Sequence, residues 1–173
     1  MISLMKIFLL ILIVFISLIA PACREQKVKV EKKEPHSGSG IEKIGLTNLN
    51  GEVVDLSKYK TKTVFINFWA TWCKPCVEEM PTIKNAMNSF KGKNIEFLFA
   101  SDETHDEIQR FETEHDYNLN YLIGGNMEEL NIIGLPTTFI FNKNGKLVFS
   151  EMGYRKWDDQ ANIDLIMKIV DQE

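Results

Sequence analysis

Val64-Phe65-Ile66-Asn67-Phe68-Trp69-Ala70-Thr71-Trp72-Cys73-Lys74-Pro75-Cys76 runs an apolar stretch directly into a cysteine pair. From Val64 to Ala70 only Asn67 is polar, so both faces of the stretch need apolar cover, the mark of a central strand. Beyond it, Val77, Met80, Ile83, Met87 and Phe90 recur at spacings of three and four, which predicts an amphipathic helix from Cys76 to Phe90. Pro81 lies inside that helix, denies a hydrogen bond to the Val77 carbonyl and predicts a kink.

Working outward, Leu49 to Leu56 contains Asn50-Gly51 beside Val53-Val54 and reads as a small peripheral hairpin. Ile95 to Ala100 reads as a second buried strand, Thr104 to His115 as a mostly polar helix with Ile108 and Phe111 inward, and Asn120 to Ile123 as a short strand. Thr137 to Phe141 and Leu147 to Ser150 flank Asn144-Gly145, a tight-turn signal that makes them an antiparallel pair. Trp157, Ala161, Leu165, Ile166, Ile169 and Val170 mark a closing amphipathic helix. The order β-α-β-α, then a hairpin and a helix, is an α/β arrangement: a mixed central sheet flanked by helices on both faces. Its chemistry belongs at the C-terminal end of the Val64–Ala70 strand.

The chain has 173 residues, 45% hydrophobic and 25% charged, with a net charge of -4. That composition fits one globular domain and offers no broad positive field for nucleic acid. Three cysteines, Cys23, Cys73 and Cys76, cannot staple a disulfide framework.

The N-terminal segment reads as an address. Ile7 to Ala20 is free of charge, follows Lys6 and gives way to polar sequence at Arg24, like the apolar region of a signal peptide. Residues 1–23 are therefore a signal, lipoprotein-like or anchor segment. Leu18-Ile19-Ala20-Pro21-Ala22-Cys23 resembles the lipobox of bacterial lipoproteins, in which the cysteine, here Cys23, becomes the lipidated first residue. The resemblance is imperfect, because that motif has Leu where this chain has Ala20 and a small residue where it has Pro21. Ala20-Pro21-Ala22 also suits ordinary cleavage, and an uncleaved anchor is the third alternative. All three place the domain outside the cytoplasm. Residues 24–40, charged and then Gly/Ser-rich, read as a flexible linker, and residues 41–173 as the folded domain.

Cys73 follows the buried strand and opens the helix, so its sulfur faces the unpaired N–H groups and positive dipole end of the first turn. That setting, within a Cys-x-x-Cys pair, favours thiolate, the species that attacks disulfides. The spacing puts Cys76 one turn on and on the same face, placed to attack the resulting mixed disulfide. Pro75 occupies an early helical position where its missing N–H costs nothing, and Lys74 adds positive charge beside the thiolate. Zinc is the competing use of such a pair. A tetrahedral site needs four ligands, and His36, His105 and His115 are scattered with no second cysteine pair, so neither a metal nor a cofactor is expected.

Phe68-Trp69-Ala70-Thr71-Trp72-Cys73-Lys74-Pro75-Cys76, Glu79-Met80-Pro81, Gly134-Leu135-Pro136-Thr137-Thr138-Phe139 and Asn144-Gly145 together resemble the TlpA/ResA branch of the thioredoxin superfamily. The resemblance implies a thioredoxin-like fold in which the Thr104–His115 helix and the strand after it are a central helix-strand insertion. It implies a cis-proline at Pro136, with the main chain of Leu135 pairing with substrate, and a proton-transfer role for Glu79, whose neighbour Glu78 is the solvated competitor. Trp72, Lys74 and Pro75 complete the expected substrate-contacting surface. Asn67 stands where thioredoxin carries a buried acid and cannot titrate, so proton transfer must rest on Glu79 or water.

The activity implied is that of a monomeric protein-disulfide reductase. Its expected partners are disulfide-containing exported proteins, possible substrates being apocytochrome c cysteines, a membrane electron donor, and the membrane itself through the N-terminal segment. Competing readings are a thiol oxidase or isomerase, a redox-inert binding module on the same fold, and a thiol peroxidase. The peroxidatic Thr-x-x-Cys pattern is missing, since Ala70 stands three residues before Cys73.

Overall fold

The computed structural model describes residues 40–172. The address segment with Cys23, and the linker up to residue 39, lie outside the described residues. Six strands form one sheet: β1 (Leu46–Thr47), β2 (Thr63–Phe68), β3 (Ile95–Ser101), β4 (Tyr121–Gly124), β5 (Thr137–Phe141) and β6 (Leu147–Met152). Three α-helices accompany them: α1 (Lys74–Met87), α2 (His105–His115) and α3 (Gln160–Asp171). The strand order is β1-β4-β3-β2-β5-β6. β2 runs parallel to β3 and antiparallel to β5, β3 runs parallel to β4, and the edge pairs β1–β4 and β5–β6 are antiparallel, so the sheet is mixed. Among the described residues no helix is long and apolar enough to cross a membrane.

All six residues of β2 are buried, with alternate side chains entering different clusters. Phe65 joins Phe97, Phe99, Tyr121 and Ile140 in a cluster completed by Cys76, Met80 and Ile83 of α1, Ile108 and Phe111 of α2, and Ile166 of α3. Val64, Ile66 and Phe68 face the other way, against Leu98, Phe139, Phe141 and the residues Ile44, Leu56, Tyr59 and Met127. Helical cover exists on both faces but is unequal. The three α-helices feed one cluster, and the second face is closed by 3-10 turns such as Leu56–Tyr59 and by irregular chain. The two crossovers β2-α1-β3 and β3-α2-β4 step the same way across the sheet, and right-handed crossovers in one direction put their helices on one face.

The first strand departs from the sequence reading. The hairpin expected over Leu49–Leu56 is present but begins at Leu46: Thr47 bridges Val53 antiparallel, Asn48 N–H donates to Glu52 O at 2.8 Å and Val54 N–H to Leu46 O at 2.9 Å, around a turn in which Gly51 has φ of 81°. Leu46 and Thr47 join the main sheet beside β4, with Leu46 opposite Gly124. Burial sets the short length of the hairpin: Leu46 goes into the core and Val54 packs against the same cluster, whereas Val53 is 82% exposed.

Helix α1 continues through Pro81, which lies on its exposed side, and tightens into a 3-10 turn over Asn88–Phe90 that turns Phe90 inward. Helix α2 opens with a capping box, in which the Thr104 hydroxyl accepts from Glu107 N–H while the Glu107 carboxylate accepts from Thr104 N–H. Helix α3 begins at Gln160 rather than Trp157. Trp157 sits ahead of it in a connecting segment, buried edge-on against Phe65 with ring centroids 4.8 Å apart.

Phe65→Ala is expected to cost about 3–5 kcal/mol, since it empties a site between Phe97, Trp157 and the central strand. Val53→Ala should stay within about 0.5 kcal/mol of the parent. Urea unfolding of the two variants checks the contrast.

Candidate active site

The end of β2 delivers Trp69 and Ala70 into the core, and a turn then brings Cys73 to the N-cap of α1. Cys73 and Cys76 are joined as a disulfide with their Cα atoms 5.3 Å apart. Cys73 Sγ accepts a hydrogen bond from Cys76 N–H at 3.3 Å, so this sulfur takes the part of a capping oxygen. The same N–H would stabilise a thiolate there, together with the helix dipole. Cys73 keeps 4% of its surface accessible and Cys76 none, so the two sulfurs differ in what can approach them. Pro75 and Lys74 are exposed on the first turn, Lys74 within 3.8 Å of the exposed Glu78 carboxylate, and Trp72 is 73% exposed just before Cys73.

Glu79 stands one turn beyond Cys76 and is fully buried. Its Oε1 accepts from Asn67 Nδ2 at 2.7 Å and its Oε2 from Arg155 N–H at 3.0 Å. The same Asn67 Nδ2 donates to Thr138 Oγ1 at 3.1 Å, and Asn67 and Thr138 are paired residues across β2 and β5. Burial pushes the Glu79 carboxyl up to about 7. The Arg155 N–H and the Asn67 amide pull it back, the nearby Trp157 indole does so more weakly, and the Glu151 carboxylate adds to the rise. Trp157 Nε1 and Asn67 Oδ1 themselves have no partner in hydrogen-bond geometry among the described residues. A carboxyl that titrates near neutrality can both take and return a proton at working pH.

The Leu135–Pro136 peptide is cis. Pro136 directly precedes β5, whose first residue Thr137 is opposite Phe68 at the C-terminal end of β2, so the proline loop and the cysteines share one end of the sheet. Leu135 is half-buried and packs against both core clusters. The structure thus gathers Trp72, Cys73, Lys74, Pro75, Cys76 and Glu79 on one turn and the start of one helix, with Leu135 and Pro136 at the same end. Cys23 lies outside the described residues.

Two residues at this end escape the sequence reading. Glu103 accepts from Thr71 N–H at 2.7 Å, from Thr71 Oγ1 at 2.5 Å and from Ser101 Oγ at 2.8 Å, tying the end of β3 to the turn that presents Cys73. In the sequence it looks like one more acid before a helix cap. Arg155 reaches Glu79 through its main-chain N–H, which every residue but proline possesses, so no side-chain pattern could have marked it.

Residues 38–150 match the AhpC/TSA family. The thiol-disulfide oxidoreductase ResA of Bacillus thuringiensis subsp. konkukian is 33% identical over 129 residues, covering 72% of this chain and 70% of that protein. Among solved structures, the thioredoxin domain of a Bacteroides vulgatus thiol-disulfide oxidoreductase superposes with a TM-score of 0.66 at 24% identity, over 79% of this chain and 99% of the other. The pneumococcal exposed lipoprotein thioredoxin Etrx1 from Streptococcus pneumoniae gives a TM-score of 0.59 at 24% identity, over 75% and 98%. At that identity the two structures speak for the fold, and the Bacillus relative and the family match carry the activity. With a disulfide-bonded cysteine pair at a helix N-terminus and a matching relative over most of its length, this chain belongs to the AhpC/TSA family of the thioredoxin superfamily and is a ResA-like thiol-disulfide oxidoreductase.

Proposed function

We propose that the chain is an exported, membrane-tethered reductase of disulfides in extracytoplasmic proteins, with Cys73 as nucleophile, Cys76 as resolving thiol and Glu79 as proton handler. The observation that carries this reading is the asymmetry along α1: a capping, slightly accessible Cys73, a sealed Cys76 one turn deeper, and a buried carboxyl one turn deeper again. In the reduced enzyme the Cys73 thiolate attacks a substrate disulfide, forming a mixed disulfide and releasing one substrate thiolate. Glu79 takes the proton of the Cys76 thiol, and the Cys76 thiolate attacks Cys73 Sγ. The second substrate thiolate leaves, two electrons having passed from the Cys73–Cys76 dithiol to the substrate. Leu135 and the exposed Trp72, Lys74 and Pro75 contact the substrate chain around this exchange, and Pro136 shapes the approach.

Export is supported by the uncharged run from Ile7 to Ala20, and tethering by Cys23 in its lipobox-like setting or by the same run left uncleaved. The description of the Streptococcus pneumoniae relative as an exposed lipoprotein is in keeping with this location. A membrane electron donor returns the disulfide to dithiol, and apocytochrome c cysteines are among the substrates. The domain works as a monomer and needs no cofactor.

A trapping experiment tests the assignment of roles. Cys76→Ser is expected to accumulate mixed disulfides between Cys73 and exported proteins, and Cys73→Ser none; equal capture by both variants would refute it. A redox titration tests direction, where every 30 mV is worth about 1.4 kcal/mol for a two-electron couple. A potential as oxidising as that of a strong thiol oxidase would sink the reductase reading.

Glu79→Gln is expected to slow release of a Cys73-bound substrate about 100-fold and to remove the rise in rate as pH passes through about 7. Stopped-flow kinetics across that pH range are the check. The same group leaves a mark on stability. Because its folded pKa is raised from 4.5 to about 7, the stability it contributes is full below about 4.5 and is lost as pH rises through about 7. Relative to Glu79→Gln, the parent should therefore lose about 3 kcal/mol between those pH values, read from denaturant melts.

A further inference from the structure

Residues 153–157, between β6 and α3, bond to the proline loop and to the Glu79 turn of α1. Gly153 N–H donates to Pro136 O at 2.7 Å, just after the cis bond. Arg155 N–H donates to Glu79 Oε2 at 3.0 Å. Trp157 N–H donates to Thr82 Oγ1 at 3.1 Å, and that hydroxyl donates to Glu79 O at 2.7 Å. The segment thus acts as a strap holding the proline loop, the Glu79 carboxylate and the Glu79 turn of α1.

What holds the strap is a second layer. Arg155 Nε donates to Asn162 Oδ1 at 2.7 Å, and Asn162 Nδ2 donates back to Lys156 O at 2.7 Å. Asn162, on the first turn of α3, is 8% exposed on a helix face otherwise given to Ile166 and its apolar neighbours. A buried amide costs stability unless paired, and this one pairs wholly with the strap. The Arg155 guanidinium also pairs with Glu151 and lies over the rings of Phe149 and Trp157, at 5.4 and 5.5 Å.

We propose that Arg155 and Asn162 are positioning residues of the thiol-disulfide exchange: they fix the strap so that its main-chain N–H stays on the Glu79 carboxylate. The idea rests on the reading of Glu79 as proton handler for its catalytic consequence, though not for its geometry. The groups facing Glu79 are few. β2 contributes the neutral Asn67, itself bonded to Thr138 of β5, and β6 the Glu151 carboxylate, which disfavours a second negative charge. The strap supplies the Trp157 indole and Arg155, whose guanidinium pairs with Glu151 and whose N–H offsets burial. Loosening the strap removes an N–H from the carboxylate, so the proton is held more tightly.

The test follows Glu79 directly by 13C NMR of the glutamate carboxyl carbons in the full chain, beside the pH profile of substrate release. Asn162→Ala is expected to raise the Glu79 titration by about half a unit to one unit, and to move the inflection of the rate profile with it. Arg155→Lys keeps the charge opposite Glu151 but cannot reproduce the Nε bond to Asn162, so it should shift both in the same direction by less. In the Glu79→Gln background neither substitution should alter the profile.

An unmoved Glu79 titration in both folded variants overturns the proposal, as does a rate shift that persists with Glu79→Gln. If the titration moves while the rate inflection does not, the strap stands and the proton-handling reading of Glu79 falls. If Asn162→Ala fails to fold, Arg155→Lys decides by the same readings.

Discussion

Strand β2 is hydrogen-bonded on both edges and buried on both faces, and one of its six residues, Asn67, carries an amide. An amide in that position must find partners inside the protein or cost roughly 1–3 kcal/mol for each group left bare. Its Nδ2 is met by Glu79 from α1 and Thr138 from β5, so this one group joins a helix turn and a neighbouring strand at the end of β2. The rest of the site follows from the same constraint. The carboxylate drawn in by Asn67 needs a second donor, which the chain after β6 provides, and that chain in turn is tied to the proline loop.

Placing the acid on α1 and a neutral amide in the strand changes the chemistry available. A carboxylate on the same helix as the cysteines is in fixed register with Cys76, one turn away, whatever small motions the sheet makes. Its burial is a standing cost to the folded state, of the kind often found at active sites. Full satisfaction by many donors would lower its pKa. Two direct hydrogen bonds, a nearby indole and a like charge at Glu151 leave it near neutrality.

Much of this was legible beforehand because it is written in local pattern. The apolar run of β2, broken only at Asn67 between Val64 and Ala70, the helical spacing of α1 and the Asn144-Gly145 turn each specify one element without help from elsewhere, and the cysteine spacing specifies one helix face. What was missed depends on partners distant in sequence. Strand β1 is two residues long and exists by pairing with β4, so no periodicity can show it. Trp157 has the apolar character of a helix residue but belongs to the strap, and Ala161, expected inward, is exposed while the polar Asn162 next to it is buried. The period was displaced because a buried asparagine reads as a surface residue unless its partners are known. Main-chain donors such as Arg155 N–H carry no sequence signal at all.

The sheet register also orders events in time. Residues Val64–Phe68 cannot complete their second edge until Thr137–Phe141 has been made, and Glu79 lacks its Arg155 donor until later still. Pairings this far apart in the chain are slow to form, because the intervening loop must be closed before they contribute anything. A chain emerging from synthesis therefore shows its two thiols well before it owns the surroundings that give them unequal character. In that interval the cysteines are ordinary ones, and protection from premature oxidation has to come from outside the fold.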